Sequence, residues 1–535
     1  MRRLGLLVGL TALAVGVAAW VGVAARAGES SYFTPGNLLV SRSIYYGDAG
    51  TVQVGMTLPP NCTTGCVTAI ADGSYPEVFN NDTVDGSFGI TSKIFLDQLS
   101  PSGTLVNSLE VPNSMQNGVP PTKDQTVTSF SSKSELALNL STDHQDVTFM
   151  GYLAPVNAID VSNSNTPGVN DPTNPVPSAY YRIVGEVDGK GKFQFTKTNA
   201  YSGNNGRAAI LNSAGNVLYT AGNAGNGGSP QPDSVITGAG AQILNPEVKA
   251  LVAQKPSDPT PVGSFNITQL GDQPDKIGKD TNFRGLTIFD NVVYFTKGSG
   301  GNGVNTVYFV DTTGTACPNG VGLPAPGAAL PTSPIDYDPS LLQTEGVTPT
   351  NMCILEGFPT ALKSKTSFPF GIWFASPSVL YVADEGNGDN TYSSTKNLYT
   401  KAAAQTTAGL QKWVMSRGSW HLAYTLQSGL ALGQPYNVSG YPTGDNAVTG
   451  LPWSPATDGL RNITGRMNAD GTVTIWAVTS TVSGNGDQGA DPNKLFAITD
   501  DPNAAAPAAG ESFDPVDSAG SKEVLRGVSL TPGTP

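Results

Sequence analysis

The stretch 379-VLYVADEGNG-388 runs β-branched and aromatic residues into a glycine-rich turn, and the chain repeats it. The other copies are 217-VLYTAGNAGNG-227, 292-VVYFTKGSGGNG-303 and 473-VTIWAVTSTVSGNG-486, all ending in Gly-Asn-Gly. A strand followed by a loop, recurring along a chain, is one part of a repeating all-β unit. Tyr219, Tyr294, Tyr381 and Trp476 hold the same place in each copy, 75, 87 and 95 residues apart. That exceeds the ~40–50 residues of an ordinary propeller blade and is compatible with blades that carry large loops.

Working outward, each copy has a strand before it: 207-RAAILNSAG-215, 283-FRGLTIFDN-291, 368-FPFGIWFAS-376 and 460-LRNITGRMNADG-471. Each of these ends in turn residues, so the unit contains a hairpin. A fainter copy is 135-ELALNLSTDHQDVTFMGYL-153. Third and fourth strands follow at 306-TVYFVD-311, 409-GLQKWVMS-416 with 420-WHLAYTLQS-428, and 494-KLFAITD-500. Four strands per unit is the propeller blade.

The two ends complete each other. The segment 524-VLRGVSLTP-532 reads as a first strand with no second, and 37-NLLVSRSIYYG-47 as a second with no first. Pairing them removes two exposed sheet edges. The expectation is therefore an all-β, six-bladed β-propeller closed by its N- and C-terminal strands. Its blades fall at 37–115 with 522–532, then 130–200, 205–270, 280–357, 366–430 and 457–515. A seventh blade enters if 429–457 holds a degenerate unit.

Charged residues make up only 13% of the chain, and the net charge is −13. That field repels nucleic acid and anionic membranes. Arg2 and Arg3 precede an apolar run from Leu4 to Ala24, and Ala25-Arg26-Ala27 has the small-x-small form of a cleavage site. Residues 1–27 thus read as a secretory signal peptide. The run is also long enough to serve as an uncleaved N-terminal anchor. Residues 28–535 form a single propeller domain on this reading, secreted or periplasmic and monomeric. In an oxidising compartment Cys62 should pair with Cys66 across CTTGC, and Cys317 with Cys353 around a Pro/Gly-rich insertion.

The phrase 379-VLYVADEGNG-388, followed by 409-GLQKW-413, resembles the strand phrase of NHL-repeat and SMP-30-like six-bladed propellers. The chain as a whole is similar to large secreted bacterial propeller proteins. The resemblance implies the architecture, and it admits a metal-dependent hydrolase or lactonase activity of the SMP-30-like kind.

Candidate chemistry clusters where first strands begin and second strands end, because a propeller brings these to one face. The first set carries Arg207, Arg284, Arg461 and Arg526, and the second Asn226, Asn302, Asn387 and Asn485. Guanidinium groups and turn amides hold carboxylates or sulfates. The competing reading makes each arginine a latch to a carboxylate of the next blade. Asp384, Glu385, Asn387 and Asp389 place oxygen ligands in an alternation like the first half of a Ca²⁺ loop, which makes calcium the candidate cofactor. Neither the glycine of the sixth loop position nor an acidic closer is present. A GxGxxG match at 298–303 runs into a strand rather than a helix and is discounted as a dinucleotide site. The expected function is extracellular binding of a small anionic ligand, a carbohydrate or a protein through the loop-rich face.

Overall fold

The computed structural model describes residues 31–45, 55–58, 66–69, 89–113, 126–172, 174, 176, 178–225, 231–246, 261–265, 267–271, 280–298, 302–333, 351–362, 364–447, 449–485 and 488–535. Residues 1–27, Cys62 and Asn226 lie outside that set.

Among the described residues six sheets of four or more strands, antiparallel except for one parallel pairing, carry the structure. Blade I runs from the inside outward through Glu523–Leu530, Leu38–Ile44, Thr91–Leu99 and Leu105–Glu110. Blade II is Asn139–Leu140, Asp146–Tyr152, Arg182–Asp188 and Phe193–Thr198, and blade III is Gly206–Asn212, Val217–Gly222, Gly240–Leu244 and Pro261–Gly263. Blade IV is Leu286–Phe289, Val292–Lys297, Thr306–Val310 and Met352–Leu355, the last joined in parallel by Val321–Gly322. Blade V is Pro369–Ser376, Val379–Asp384, Gly409–Ser416 and Ser419–Leu426. Blade VI is Ala456–Met467, Val473–Val482, Lys494–Asp500 and Asp514–Ser518. The innermost strands touch in the order I, II, III, IV, V, VI and back to I, a closed six-bladed β-propeller.

The seventh blade is not formed. Between Leu426 and Ala456 the described residues hold only isolated bridges, Pro435 to Ala456 and Asp445 to Pro452. Pro435, Pro442 and Pro452 interrupt any ladder there, since proline cannot donate to one. Tyr441 and Trp453 meet edge to face at 6.4 Å and share a small core with Tyr45, Ile90, Phe130 and Val524.

The β-branched and aromatic run of each second strand is buried on both faces because it lies between neighbouring blades. Tyr219, Tyr381 and Trp476 are at most 1% exposed. Leu38, Leu99 and Leu525 of blade I pack on Trp476, Val478 and Leu495 of blade VI. On its other side blade I sets Leu39, Ile94 and Leu96 against Val147, Phe149 and Ile183 of blade II. Each such side chain contributes roughly 1.5–3 kcal/mol of burial.

The two chain ends pair as the sequence anticipates, from Leu38 opposite Leu530 to Ile44 opposite Glu523. Arg42 reinforces the seam by bonding Asp97 and Glu523. Cys317 and Cys353 are joined in a buried disulfide that ties the loop after Thr306–Val310 to Met352–Leu355. Cys66 is also disulfide-bonded. Among the described residues no helix is long and apolar enough to cross a membrane.

Candidate functional site

Two cavities mark the ends of the central channel. One is lined where innermost strands finish, by residues such as Asn212, Phe289, Met467 and Leu530. The other, about 370 Å³, is lined where they begin. Its walls are five serines (Ser129, Ser131, Ser132, Ser134, Ser162), five asparagines (Asn163, Asn204, Asn205, Asn223, Asn282) and three cations (Lys133, Arg207, Arg284). Among the described residues no carboxylate and no apolar side chain lines it. In a chain of net charge −13 this is a local inversion of the field.

Close backbone approach builds this mouth. A Cβ on Gly285 would lie 1.9 Å from the Phe370 carbonyl oxygen, and one on Gly527 would lie 2.2 Å from that of Leu136. Only glycine admits a neighbouring inner strand so near. The Arg-Gly pairs at 284–285 and 526–527 therefore set an arginine at the rim one residue before each contact.

The four arginines differ in what they hold. Arg461 Nε donates to Glu385 Oε2 of blade V at 3.2 Å, an inter-blade latch. Arg526 bridges from blade I to the loop before blade II, donating to the carbonyls of Phe130 and Ser132, with Nε 3.3 Å from Ser43 Oγ. Arg207 reaches from blade III to the entry of blade IV, where it bonds the Asn282 side chain and the Phe283 carbonyl at 2.9 Å. Its Nε has no partner although the residue is only 3% exposed. The Arg284 side chain, at the same mouth, makes no hydrogen bond or ion pair among the described residues, and its Nε is buried and unpartnered. Burial, then the charge of Arg284, holds the Arg207 guanidinium well below its usual pKa. Burial also lowers Arg284, with Glu385 opposing and Arg461 reinforcing the shift.

A second layer fixes the asparagine turn. Arg182, fully buried, donates Nε–H to the Asn204 carbonyl at 2.8 Å and bonds the carbonyls of Tyr180 and Ser164. Its guanidinium lies 5.0 Å from the Tyr152 ring centroid, and Tyr152 bonds Glu135. Glu135 in turn accepts from Asn205 Nδ2 at 3.3 Å. With its amide nitrogen committed to a carboxylate, Asn205 must turn Oδ1 elsewhere, and that atom is buried without a partner.

The remaining sequence candidates sit apart from this cavity. Asn302 offers its backbone carbonyl to Lys297, Asn387 accepts the Asp389 amide at 2.9 Å, and Asn485 is buried beside Tyr441 and Asp491. Of the proposed oxygen ligands, Asp384 accepts from the amides of Phe368 and Gly386 and from Gln411, Glu385 holds Arg461, and Asp389 caps Thr391. Among the described residues only Asp311, Cys317 and Cys353 bring three such ligand atoms together, and the two cysteines there are bonded to each other.

Fold and site define a class: a six-bladed β-propeller whose channel opens at one end through a cationic, amide- and hydroxyl-lined mouth. No known family's sequence profile matches the chain, and no curated protein matches it. Among solved structures, a protein from Lactobacillus plantarum is similar over 81% of both chains at 10% identity, with a TM-score of 0.31. A chain from an S. cerevisiae assembly of dbp5 bound to nup159 and gle1 is similar over 88% of this chain and 82% of its own, at 7% identity and a TM-score of 0.26. Likeness at this level carries no argument, so the fold rests on the sheet topology above and the function on the site.

Proposed function

We propose that this protein is an exported propeller that binds an anionic ligand at the arginine end of its channel. The observation that carries the reading is the contrast at the mouth. Arg461 has a carboxylate, whereas the Arg284 side chain has neither a carboxylate nor a hydrogen-bond acceptor among the described residues and lines a cavity with Arg207. Two guanidinium groups under desolvation, without a counter-charge on the cavity wall, gain from an anion that supplies charge-assisted hydrogen bonds. Rigid blades hold the donors in place, so little ordering cost falls on binding. The buried Cys317–Cys353 disulfide supports an oxidising compartment.

Thermal-shift titration against small organic acids, sulfate and phosphate at low salt tests this reading. Anions should raise the melting temperature of the wild type in a saturable way and leave Arg284→Ala unmoved. A wild type indifferent to every anion contradicts it.

A further inference from the structure

The cavity that carries the anion reading also contains acceptors, and these narrow the ligand. Four buried side-chain atoms around it lack partners: the donors Arg207 Nε and Arg284 Nε, and the acceptors Asn205 Oδ1 and Asn223 Oδ1. More than nine in ten buried polar atoms in proteins are partnered, so four at one cavity mark groups kept for something bound. Arg207 and Asn223 are each only 3% exposed.

Resting on the anion reading, we propose that the ligand is an acidic sugar, a ring that presents an anionic group to the arginines and hydroxyl donors to the asparagine oxygens. Each alternative class fails on one wall of the cavity. A simple anion such as acetate offers no donor to Asn205 Oδ1 or Asn223 Oδ1. A neutral sugar leaves both guanidinium groups without a counter-charge. An aromatic or fatty acid would strip water from ten serine and asparagine side chains and return no hydrogen bonds, and no aromatic or aliphatic wall is there to receive it. The volume of about 370 Å³ lies near the lower end of small-molecule sites, which fits one sugar unit and not a stretch of polymer. Serine hydroxyls and asparagine amides can each donate or accept, so they can follow the ring hydroxyls around the mouth.

Titration calorimetry on the full chain distinguishes the possibilities, with glucuronate and a sulfated glucose as probes and acetate, inorganic sulfate and glucose as controls. At least one acidic sugar should bind about tenfold or more tighter than its matching simple anion, the worth of one or two hydrogen bonds, and glucose should not bind. Whichever of the two sugars binds identifies the anionic group. Asn223→Leu should bring that sugar down to the level of its simple anion while leaving the simple anion within about twofold, and its unchanged melting curve excludes misfolding. Should acetate or sulfate bind as tightly as the acidic sugars, the sugar proposal falls and the anion site stands. If no anion binds at all, both fall. Weak binding of all probes that is insensitive to Asn223→Leu would mean water fills the asparagine side, and also overturns the proposal.

Discussion

Arg461 Nε lies 3.2 Å from Glu385 Oε2 across the junction of blades V and VI, a carboxylate latch at the mouth. Removing Arg461 strands a largely buried carboxylate. Arg461→Ala should therefore destabilise by about 3–5 kcal/mol, whereas Arg284→Ala, which breaks no bond, should change stability by less than about 1 kcal/mol. Chemical denaturation of the two variants side by side measures the difference.

The ring should open when its last strand is taken away. Removing residues 522–535 deletes Glu523–Leu530 and leaves Leu38–Ile44 as a bare inner edge, which invites edge-to-edge association. Light scattering of the truncated protein should show aggregation. A soluble monomer that melts as cooperatively as the full chain would refute closure by the two ends.

Cys317 and Cys353 close a separation of 36 residues. On the loop-entropy estimate the bond stabilises by roughly 3–4 kcal/mol, so the Cys317→Ala, Cys353→Ala double variant should melt well below the wild type. Reductant should lower the wild type toward the variant and shift the variant far less, by only what the remaining Cys66 bond contributes.

Stability should fall as pH rises through the acidic range. Burial pushes Asp491 up to about 7, against the Tyr441 hydroxyl it accepts from at 2.7 Å, and burial likewise lifts Asp458 to about 7 and Asp384 to about 6. Each folded-state carboxyl then holds its proton above the pH at which the unfolded chain releases it. The stability this confers is complete below about pH 4 and is lost as pH climbs to about 7. Melting temperature should decline over that window. Asp491→Asn, which keeps an acceptor for Tyr441, should flatten the decline, by an upper estimate of about 1.4 kcal/mol per pH unit.

What the sequence disclosed follows the range of the interactions involved. The blades were legible because strand alternation and glycine turns are local, as in 379–388, and the seam because Val524–Leu530 and Leu38–Ile44 each read as half a hairpin. The recurrence of arginines at strand starts was visible too. Which of them would be left without a partner was not, because the acceptors come from other blades: Glu385 lies 76 residues from Arg461, Asn282 lies 75 from Arg207, and Ser132 lies 394 from Arg526. The serines of 129–134 and the Asn204-Asn205 turn carry no periodicity, and nothing in the sequence marks them as part of a site. Their proximity to Arg207 and Arg284, in residues just before innermost strands, is the signal that places them at the mouth once the blade topology is known. The degenerate unit that the sequence allowed in 429–457 does not form among the described residues, where Tyr441 and Trp453 pack with Tyr45, Ile90, Phe130 and Val524 instead.

The account stands most directly on a binding isotherm of wild type and Arg284→Ala for the same anion, taken in low salt with melting curves of both proteins. It predicts one saturable site per chain in the wild type, at least about tenfold weaker in the variant, with the two melts nearly superimposed. Equal affinity in the two proteins, or a variant that loses its stability while the wild type binds nothing, would contradict it.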